Sequence, residues 1–535
     1  MPEPVHPAIA LPSARKWAIT GSVMLVTIMQ ILDTSITNVA LPHMQGTLST
    51  SVEETSWVIT SYLAANAIVI PATGWLTGVF GRRRLFLICT ALFAISSFLS
   101  GLATSLEFLI AMRVLQGLGG GPVVPMAQAT MWEIFPLRQR GLAMAVWGVG
   151  VMMAPILGPT VGGWVCDNWS WPWIFYVNLP IGVLGFFMAG IFMFDSPYQK
   201  KAASVDWIGL VVMVVGFGGL QLVLDRGERD DWFESSTIVS LAVVAGCALV
   251  GFVIRELTAK EPLLNLAVFN DRNFAVGSFV MFGVGFGFYA STLLLALYAQ
   301  KILAYDAWTA GTVLAPAGVG NMLALLVSGR LVQRVDQRAL LAFGCGLNAI
   351  AFFLMMNVSL GMDYWALALP RFIQGFGQGF VFVPLQTMAL STIRMDRLAN
   401  ATAAFNVVRN FGGSSGIAMA TTLLARRSQY HQATIGAHVD LWDAETVQRI
   451  RQWTEHFMAA GADPFTAQRR ALGMLYRGTV EQAQVLAYGD AYFLLTIVFS
   501  AVILLLPWMR RVRIEQTDQR PSEARVEGLP EPAPE

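Results

Sequence analysis

The chain has 535 residues, of which 55% are hydrophobic and only 13% are charged, and its formal net charge is +1. A soluble domain carries about 25% charged residues, so this composition excludes an ordinary soluble protein and predicts that most of the chain faces lipid. The net charge itself points to no class of partner, and we expect no nucleic-acid partner.

Apolar segments long enough to span a membrane recur along the whole chain. A helix needs roughly 20 apolar residues to cross about 30 Å of hydrocarbon. The first apolar run lacks a small-residue cleavage site, so we interpret it as a retained span rather than a signal peptide. We predict an all-α integral membrane protein with about fourteen spans, at 17–40, 55–78, 84–104, 106–131, 141–164, 172–194, 205–224, 236–254, 273–298, 308–329, 339–357, 364–391, 400–424 and 486–509.

The charged residues between these spans predict their orientation, because short loops rich in Lys and Arg stay in the cytoplasm. The opposite loops at 41–54, 165–171 and 358–363 are poor in cations, and the loop at 225–231 is acidic. We therefore predict an even number of spans with both termini in the cytoplasm. That topology places on the cytoplasmic side Arg82, Arg83, Arg84, Arg138, Arg140, Lys200, Lys201, Arg330, Arg334, Arg338, Arg394, Arg397, Arg510, Arg511 and Arg513.

One motif occurs twice within apolar segments. Arg113 begins Arg-Val-Leu-Gln-Gly-Leu-Gly-Gly-Gly, and Arg371, 258 residues later, begins Arg-Phe-Ile-Gln-Gly-Phe-Gly-Gln-Gly. Two arginines inside apolar segments predict a duplicated membrane unit, which is typical of secondary transporters with a site between their halves. The predicted units are a cytoplasmic segment at 1–16, a six-helix half at 17–194, two inserted helices at 205–254, a second six-helix half at 273–509 and a disordered cytoplasmic tail at 510–535.

The segment at 425–485 is a long exterior segment of mixed polarity before the last span. Asp443 is placed to cap a helix whose apolar side chains Val447, Ile450, Trp453 and Phe457 recur at helical spacing. Asp463 and Pro464 predict the start of a second helix that continues toward the membrane. The segment is either a folded cap over the exterior mouth or a docking surface for another protein.

The sequence lacks a phosphate-binding loop, a zinc-protease helix and a nucleophilic serine motif, so we expect neither ATP hydrolysis nor another enzymatic activity. Three of the four cysteines, Cys89, Cys247 and Cys345, lie in apolar runs, and Cys166 is predicted in an exterior loop. Their spacing fits no metal site, and we expect no metal, cofactor or disulfide.

Ionisable residues inside the predicted spans are the candidates for coupling chemistry. Asp33 lies two-thirds along the first span, where a carboxylate in low dielectric can bind and release a proton near neutral pH. Arg113 lies at a similar depth in span four and needs a partner or water. We predict that Asp33 carries the proton and Arg113 modulates it, although a satisfied carboxylate and a static ion pair remain alternatives. Arg371 is expected to snorkel outward or to tie helices together.

Polar side chains in later spans predict a substrate cavity between the halves. Arg409 has Asn406 and Asn410 as neighbours and could attract anionic groups. The predicted cavity residues are Asn38, Gln116, Gln374, Asn406 and Arg409.

Span five contains Ala-Pro-Ile-Leu-Gly-Pro-Thr-Val-Gly-Gly from Ala154 to Gly163. Prolines bend a helix axis and glycines allow close approach of neighbouring backbones. We predict a kinked helix that favours one sealed conformation, with plain helix packing as the alternative. The residues that carry this prediction are Pro155, Gly158, Pro159, Gly162 and Gly163.

These motifs, in this order, resemble those of the major facilitator superfamily and its fourteen-span drug:proton antiporters of the EmrB/QacA type. Leu32 to Pro42 resembles their first-span signature, and Arg113 to Gly121 resembles their proton-coupling motif. Trp173 to Gly182 is similar to a further hallmark of the subgroup, and Ala154 to Gly163 to the antiporter motif.

The segment Gly74 to Arg84 resembles the superfamily's cytoplasmic gating loop, in which the resemblance marks Gly74, Gly81, Arg82 and Arg83. Gly78 stands where the family usually has aspartate, so the usual charge-relay latch is in doubt. In the antiporter motif, Ala154 stands where glycine is common.

The resemblance implies an exporter of lipophilic or amphipathic compounds, driven by protons across a bacterial inner membrane through alternating access. It also implies a periplasmic membrane-fusion adaptor and an outer-membrane channel as partners, since the long exterior segment is similar to that of EmrB. An uptake symporter for a metabolite and a non-transporting scaffold remain alternatives; the span-five motif argues against the first, and the buried Asp33 and Arg113 against the second.

Overall fold

The computed structural model describes residues 11–196, 206–259, 262–439 and 443–511. Within these ranges the chain folds as α-helices without strands, which confirms the predicted all-α class. Lys200 and Lys201, which are predicted to lie on the cytoplasmic side, are outside the described residues. Most of the terminal segments are outside them as well. The first nine helices are α1 (Ser13–Leu48), α2 (Val52–Val69), α3 (Thr73–Phe80), α4 (Arg82–Gly101), α5 (Leu106–Gly120), α6 (Val123–Ile134), α7 (Leu137–Asn168), α8 (Trp173–Tyr176) and α9 (Asn178–Phe192).

Two helices follow in the region of the proposed insertion, α10 (Trp207–Arg226) and α11 (Ser236–Thr258). The remaining helices are α12 (Arg272–Leu297), α13 (Ala307–Leu331), α14 (Gln337–Met355), α15 (Tyr364–Leu390), α16 (Leu398–Gly436), α17 (Ala444–Ala459) and α18 (Pro464–Leu505). Cys166, predicted in an exterior loop, instead lies in α7 and is buried, because α7 runs on to Asn168.

Ten helical stretches in the described part of the chain are long and apolar enough to cross a membrane. The number is eleven if α2 and α3, which meet at a 66° bend, form one span. The helices α7, α15 and α16, with 32, 27 and 39 residues, are also long enough to cross at about 1.5 Å per residue, but they are not among these stretches. The predicted count of about fourteen spans depends on these three helices.

The glycines of the repeated motif make the same kind of close helix contact in both halves. A Cβ on Gly117 would lie 2.5 Å from the Tyr62 carbonyl oxygen, and a Cβ on Gly375 would lie 1.9 Å from the Ala317 carbonyl oxygen. Only glycine permits such contact, so α5 packs closely on α2 and α15 packs closely on α13. The same backbone approach therefore builds both halves of the bundle.

Helix α10 packs between α2 and α16 and bonds to both of them. The Thr60 hydroxyl of α2 donates to Asp225, at the end of α10. The Ser414 hydroxyl of α16 donates to the Gln221 side-chain oxygen over 3.0 Å. Beyond α10, the Trp232 indole donates to the Thr422 hydroxyl over 2.8 Å. The inserted segment that contains α10 is thus attached to both halves of the bundle by hydrogen bonds.

The exterior segment forms two helices, as predicted. Asp443 caps α17 by accepting from the Glu445 and Thr446 amides, and the Thr446 side chain holds the pKa of the Asp443 carboxyl below its ordinary value. Asp463 caps α18 with Pro464 in its first turn. Because α18 has 42 residues, the second exterior helix and the last span are one continuous helix.

Candidate functional site

Asp33 lies at the centre of a buried polar cluster in the first half of the chain. Its Oδ2 accepts a 2.6 Å hydrogen bond from Arg113, and its Oδ1 accepts from Gln116 at 2.9 Å and from Asn178 at 2.7 Å. The Asp33 and Arg113 side chains are 1% and 0% exposed. All three neighbours are donors, so the geometry suits an ionised carboxylate.

Arg113 is held from several directions at once. Its Nη1 also donates to the Gln116 side-chain oxygen at 2.7 Å, and its Nε donates to the Val58 carbonyl at 3.0 Å. The guanidinium carbon lies 4.3 Å from the centre of the Tyr62 ring, which adds a cation–π contact. These contacts fix the arginine in one orientation toward Asp33.

The second half contains a matching cluster without a carboxylate. Arg371 and Gln374 are the repeats of Arg113 and Gln116, and both bond to Ser291. Ser291 stands 258 residues after Asp33, the same offset that separates the two arginines. Arg371 is 3% exposed and also donates to Thr292 at 2.7 Å, so it ties α12 to α15 and does not snorkel outward. Of these two clusters, only the first can take up a proton at a carboxylate.

The halves meet at the end of the bundle that is predicted to face the cytoplasm. A Cβ on Gly141 of α7 would lie 3.1 Å from the Gly329 carbonyl oxygen of α13, and one on Gly329 would lie 3.0 Å from the Gly141 oxygen. Nearly two turns further from that end, the Trp147 ring stacks on Phe382 with 6.2 Å between ring centres. We call these contacts between the halves, together with those described next, the seal.

Two more contacts between the halves lie at the same end. Asn406 of α16 donates to the side-chain oxygen of Gln128 in α6 over 2.6 Å. Gly74 of α3 lies so close to Asn400 of α16 that a Cβ there would be 2.1 Å from the amide oxygen. The predicted gating loop therefore touches the opposite half at a position where only glycine fits.

The rest of the gating loop is fixed by charged partners. Arg82 forms a two-pronged ion pair with Glu133, with both N–O distances at 2.7 Å, and the side chains are 4% and 2% exposed. Gly81 adopts a φ of 82°, a conformation that favours glycine. The Arg83 amide donates to Asp195 at 3.0 Å, and its guanidinium donates to the Gly190 carbonyl.

A small cavity of about 30 Å³ lies next to the seal, on its predicted exterior side. Its lining comes from α7, α13, α15 and α16 and consists of Trp147, Gly148, Val151, Asn321, Leu325, Gln378, Phe382 and Arg409. Four helices from both halves thus line one partly open space.

Comparisons with known proteins agree with this architecture. Residues 23–417 match the family model described as Major Facilitator Superfamily. The chain belongs to the major facilitator superfamily. A crystal structure of the human organic anion transporter MFSD10 (TETRAN) shares the fold with a TM-score of 0.56 at 15% identity, covering 91% of this chain and 100% of that one.

Several relatives within the superfamily have names that refer to export or resistance. The multidrug export protein EmrB of Haemophilus influenzae is 38% identical over 79% of this chain and 83% of its own length. EmrB of Escherichia coli K12 is 34% identical over 94% and 96%. The fatty acid resistance protein FarB of Neisseria gonorrhoeae is 33% identical over 93% and 96%. This superfamily member is thus a multi-pass membrane transporter and not an enzyme.

The structure distributes the predicted cavity residues of this transporter over different places. Arg409 lines the small cavity. Gln116 and Gln374 belong to the two buried arginine clusters, and Asn406 lies in the seal. Asn38 is exposed and donates to the Thr34 carbonyl at 3.0 Å. Three of the five predicted cavity residues thus lie in the arginine clusters or in the seal and do not line the cavity.

Asn178 is a site residue to which the sequence analysis assigned no role. It bonds Asp33 at 2.7 Å and the Ser97 hydroxyl at 3.1 Å, and so joins α9 to α1 and α4. A signal was present, since Asn178 lies within the subgroup hallmark that begins at Trp173. Among the lining residues, Gln378 lies within the repeated motif that begins at Arg371, whereas Trp147 and Asn321 lie in no recognised motif.

The superfamily's antiporter motif packs α7 against α1 next to Asp33. A Cβ on Gly158 would lie 2.2 Å from the Ser35 hydroxyl oxygen, and one on Gly162 would lie 3.2 Å from the Ile36 side chain. Pro155 and Pro159 lie within α7, and their side chains are outside the described residues. The predicted kink stays a prediction, whereas the close approach of the two helices is observed.

We expect Gly158→Leu to destabilise the transporter by about 1–3 kcal/mol, because the new side chain forces α7 away from Ser35. Gly163→Leu is the matched control on the same helix, since nothing lies within 4 Å of a Cβ at Gly163. Its expected effect is within about 0.5 kcal/mol. Thermal unfolding of the purified proteins in detergent compares them, and equal melting temperatures for the two variants would contradict the packing argument.

Proposed function

We propose that this protein is a proton-driven exporter of lipophilic or amphipathic compounds that works by alternating access in a bacterial inner membrane. The single observation that carries the proposal is the buried Asp33–Arg113 pair, whose repeat in the other half has Ser291 instead of a carboxylate. A scaffold has no need of such a pair. The names of the relatives EmrB and FarB support an export role for compounds of this kind.

The proposed cycle begins from the arrangement described above, with the predicted cytoplasmic end sealed and Asp33 ionised. A proton that arrives from the exterior neutralises Asp33 and removes the charge that holds Arg113 at 2.6 Å. Arg113 then reorients toward its remaining partners, Gln116 and Val58, and α1 is free to shift against α5. Release of the proton to the cytoplasm restores the pair after the substrate has been taken up.

Helix α7 is the proposed antiport-biasing hinge, because Gly158 and Gly162 pack it against α1 within one turn of Asp33. Its other end forms the seal at Gly141. A change at Asp33 can therefore reach the seal through a single helix. The proposed topology has both termini in the cytoplasm, six helices in each half and the α10–α11 pair inserted between them.

We also propose a periplasmic membrane-fusion adaptor and an outer-membrane channel as partners. The support is the segment predicted to be exterior, in which α17 packs on α18. Asp490 of α18 accepts hydrogen bonds from Arg427 at 2.5 Å and His431 at 2.7 Å, which tie this helix to α16. The helix α18, which continues from the predicted exterior segment into the last span, is thus joined to α16 of the transport bundle.

Inside-out membrane vesicles test the direction of transport. With the lumen acidified, an antiporter lets a lipophilic dye added outside enter in exchange for protons, so the pH gradient partly collapses. A symporter instead collapses the gradient only when the compound is preloaded in the lumen. Vesicles without the protein are the control, and a gradient that does not respond to either arrangement over a broad compound panel would contradict proton-coupled transport.

A further inference from the structure

Residues that line the small cavity next to the seal carry unpaired polar atoms. The Trp147 indole N–H and the Arg409 Nε–H are buried donors without a hydrogen-bond partner among the described residues. The side-chain oxygens of Asn321 and Gln378 are likewise buried and unpaired there. Leaving a buried polar group unsatisfied is unfavourable, so four such groups around one space indicate a site that is completed by a ligand or by water.

These four groups can all serve as donors. Trp147, Asn321 and Gln378 are 0%, 3% and 7% exposed, so each is held in place by packing. An amide side chain can turn over and present its NH₂ instead of its oxygen, since the two orientations have nearly the same shape. Together with the Arg409 guanidinium, the cavity can therefore surround a small acceptor with N–H groups.

The charge around the cavity is positive. Arg409 is half-buried, and none of the described lining residues is a carboxylate. The nearby buried acids are already neutralised, Asp33 by Arg113 and Glu133 by Arg82. An unpaired guanidinium in a space of low dielectric attracts anions and repels cations.

The size and the remaining lining fit the charged end of a larger molecule. A cavity of about 30 Å³ holds about two water molecules, which is comparable to the two oxygens of a carboxylate. Leu325, Phe382 and Val151 supply an apolar wall beside the polar groups. A drug-sized molecule does not fit inside, so its body must extend out of the cavity.

We propose that this cavity is a headgroup subsite for lipophilic organic acids, in which Arg409 and Trp147 donate to the carboxylate. The proposal rests on the proposed export function and specifies its substrate class. The subsite lies next to the seal and takes residues from both halves, so the bound headgroup bridges the two parts that move relative to each other.

Binding of two probes with the same alkyl chain and opposite charge tests the subsite. Radiolabelled dodecanoate and dodecyltrimethylammonium are titrated at pH 8 onto the full-length protein in lipid nanodiscs, with empty nanodiscs subtracted. The wild type is expected to bind dodecanoate more tightly. Arg409→Gln is expected to weaken dodecanoate binding about tenfold or more, since it removes a charged hydrogen bond, and Arg409→Lys should restore part of the affinity.

Arg426→Gln is the matched control, because Arg426 is an exposed arginine on the same helix, α16. Trp147→Phe keeps a ring against Phe382 and removes only the N–H, so a loss of about threefold to tenfold is expected. Undiminished dodecanoate binding by Arg409→Gln, or preference of the wild type for the ammonium probe, would overturn the proposal.

The vesicle assay separates this proposal from the proposed function. Wild-type protein that binds dodecanoate through Arg409 without any gradient collapse refutes proton-coupled export and leaves the subsite standing. Gradient collapse by wild type together with unchanged binding in Arg409→Gln supports export and refutes the subsite.

Discussion

Asp33→Asn is expected to abolish proton-driven accumulation of substrate while the protein still reaches the membrane. Asparagine cannot take up a proton, so substrate movement is no longer linked to proton flow. One proton charge that moves through 100 mV supplies about 2.3 kcal/mol, enough for a gradient of about fortyfold for a neutral compound. In the energised inside-out vesicles described above, the substrate concentration inside the vesicles should stay near the concentration outside for this variant.

Asp33→Ser is the second variant for this position, because Asp33→Asn leaves Arg113 without a counter-ion and a loss of transport by misfolding must be distinguished from a loss of coupling. The second half of the chain already holds a buried arginine with a serine at the equivalent position, Arg371 with Ser291. The fold therefore tolerates that arrangement. Glu107→Gln is the control, since Glu107 is an exposed acid on the same helix as Arg113. Gradient-driven accumulation by Asp33→Ser at the wild-type level would remove Asp33 from the coupling role.

Glu133→Gln is expected to destabilise the protein by about 3–5 kcal/mol, because breaking a buried ion pair leaves an uncompensated charge. Glutamine keeps one side-chain oxygen that can accept from Arg82, but Arg82 loses its second acceptor and its counter-charge. Arg140 adds a second buried cation on this side of the bundle, with its guanidinium carbon 5.0 Å from the centre of the Trp132 ring. Chemical unfolding of the purified protein in detergent gives the free energy of unfolding.

A double-mutant cycle tests whether the loss of stability comes from breaking the Arg82–Glu133 ion pair. Arg82→Gln combined with Glu133→Gln removes both charges, so the double variant should be more stable than Glu133→Gln alone. Arg83→Gln is the control for the loop, because Arg83 is exposed and its backbone bond to Asp195 survives the change. Its expected cost is below about 1 kcal/mol. Additive effects of the two substitutions would show that Arg82 and Glu133 act independently.

Some features of the site could have been obtained from the sequence by a further step. Gln116 follows Arg113 by three residues on a helix, and that spacing places both on one face. Arg113 and Arg371 are 258 residues apart, and the residue 258 positions after Asp33 is Ser291. The assignment of Gln116 and Gln374 to a substrate cavity did not use these two patterns, and the structure places both side chains in the buried clusters.

The all-α membrane class, the superfamily and the occurrence of Asp33 and Arg113 within apolar segments follow from the sequence alone. These are local properties, because lipid selects apolar side chains along each span and makes each charge within one unfavourable. The caps at Asp443 and Asp463 were local as well, since a cap needs only the amides that follow it.

Only the tertiary structure decided which of these residues meet. The Asp33–Arg113–Asn178 cluster joins positions up to 145 residues apart, and its geometry depends on how α1, α5 and α9 are rotated when they pack. The seal at Gly141 and Gly329 and the cavity at Arg409 likewise require helices from both halves. Rotation and depth arise from side-chain packing over the whole bundle, which no single stretch of sequence contains.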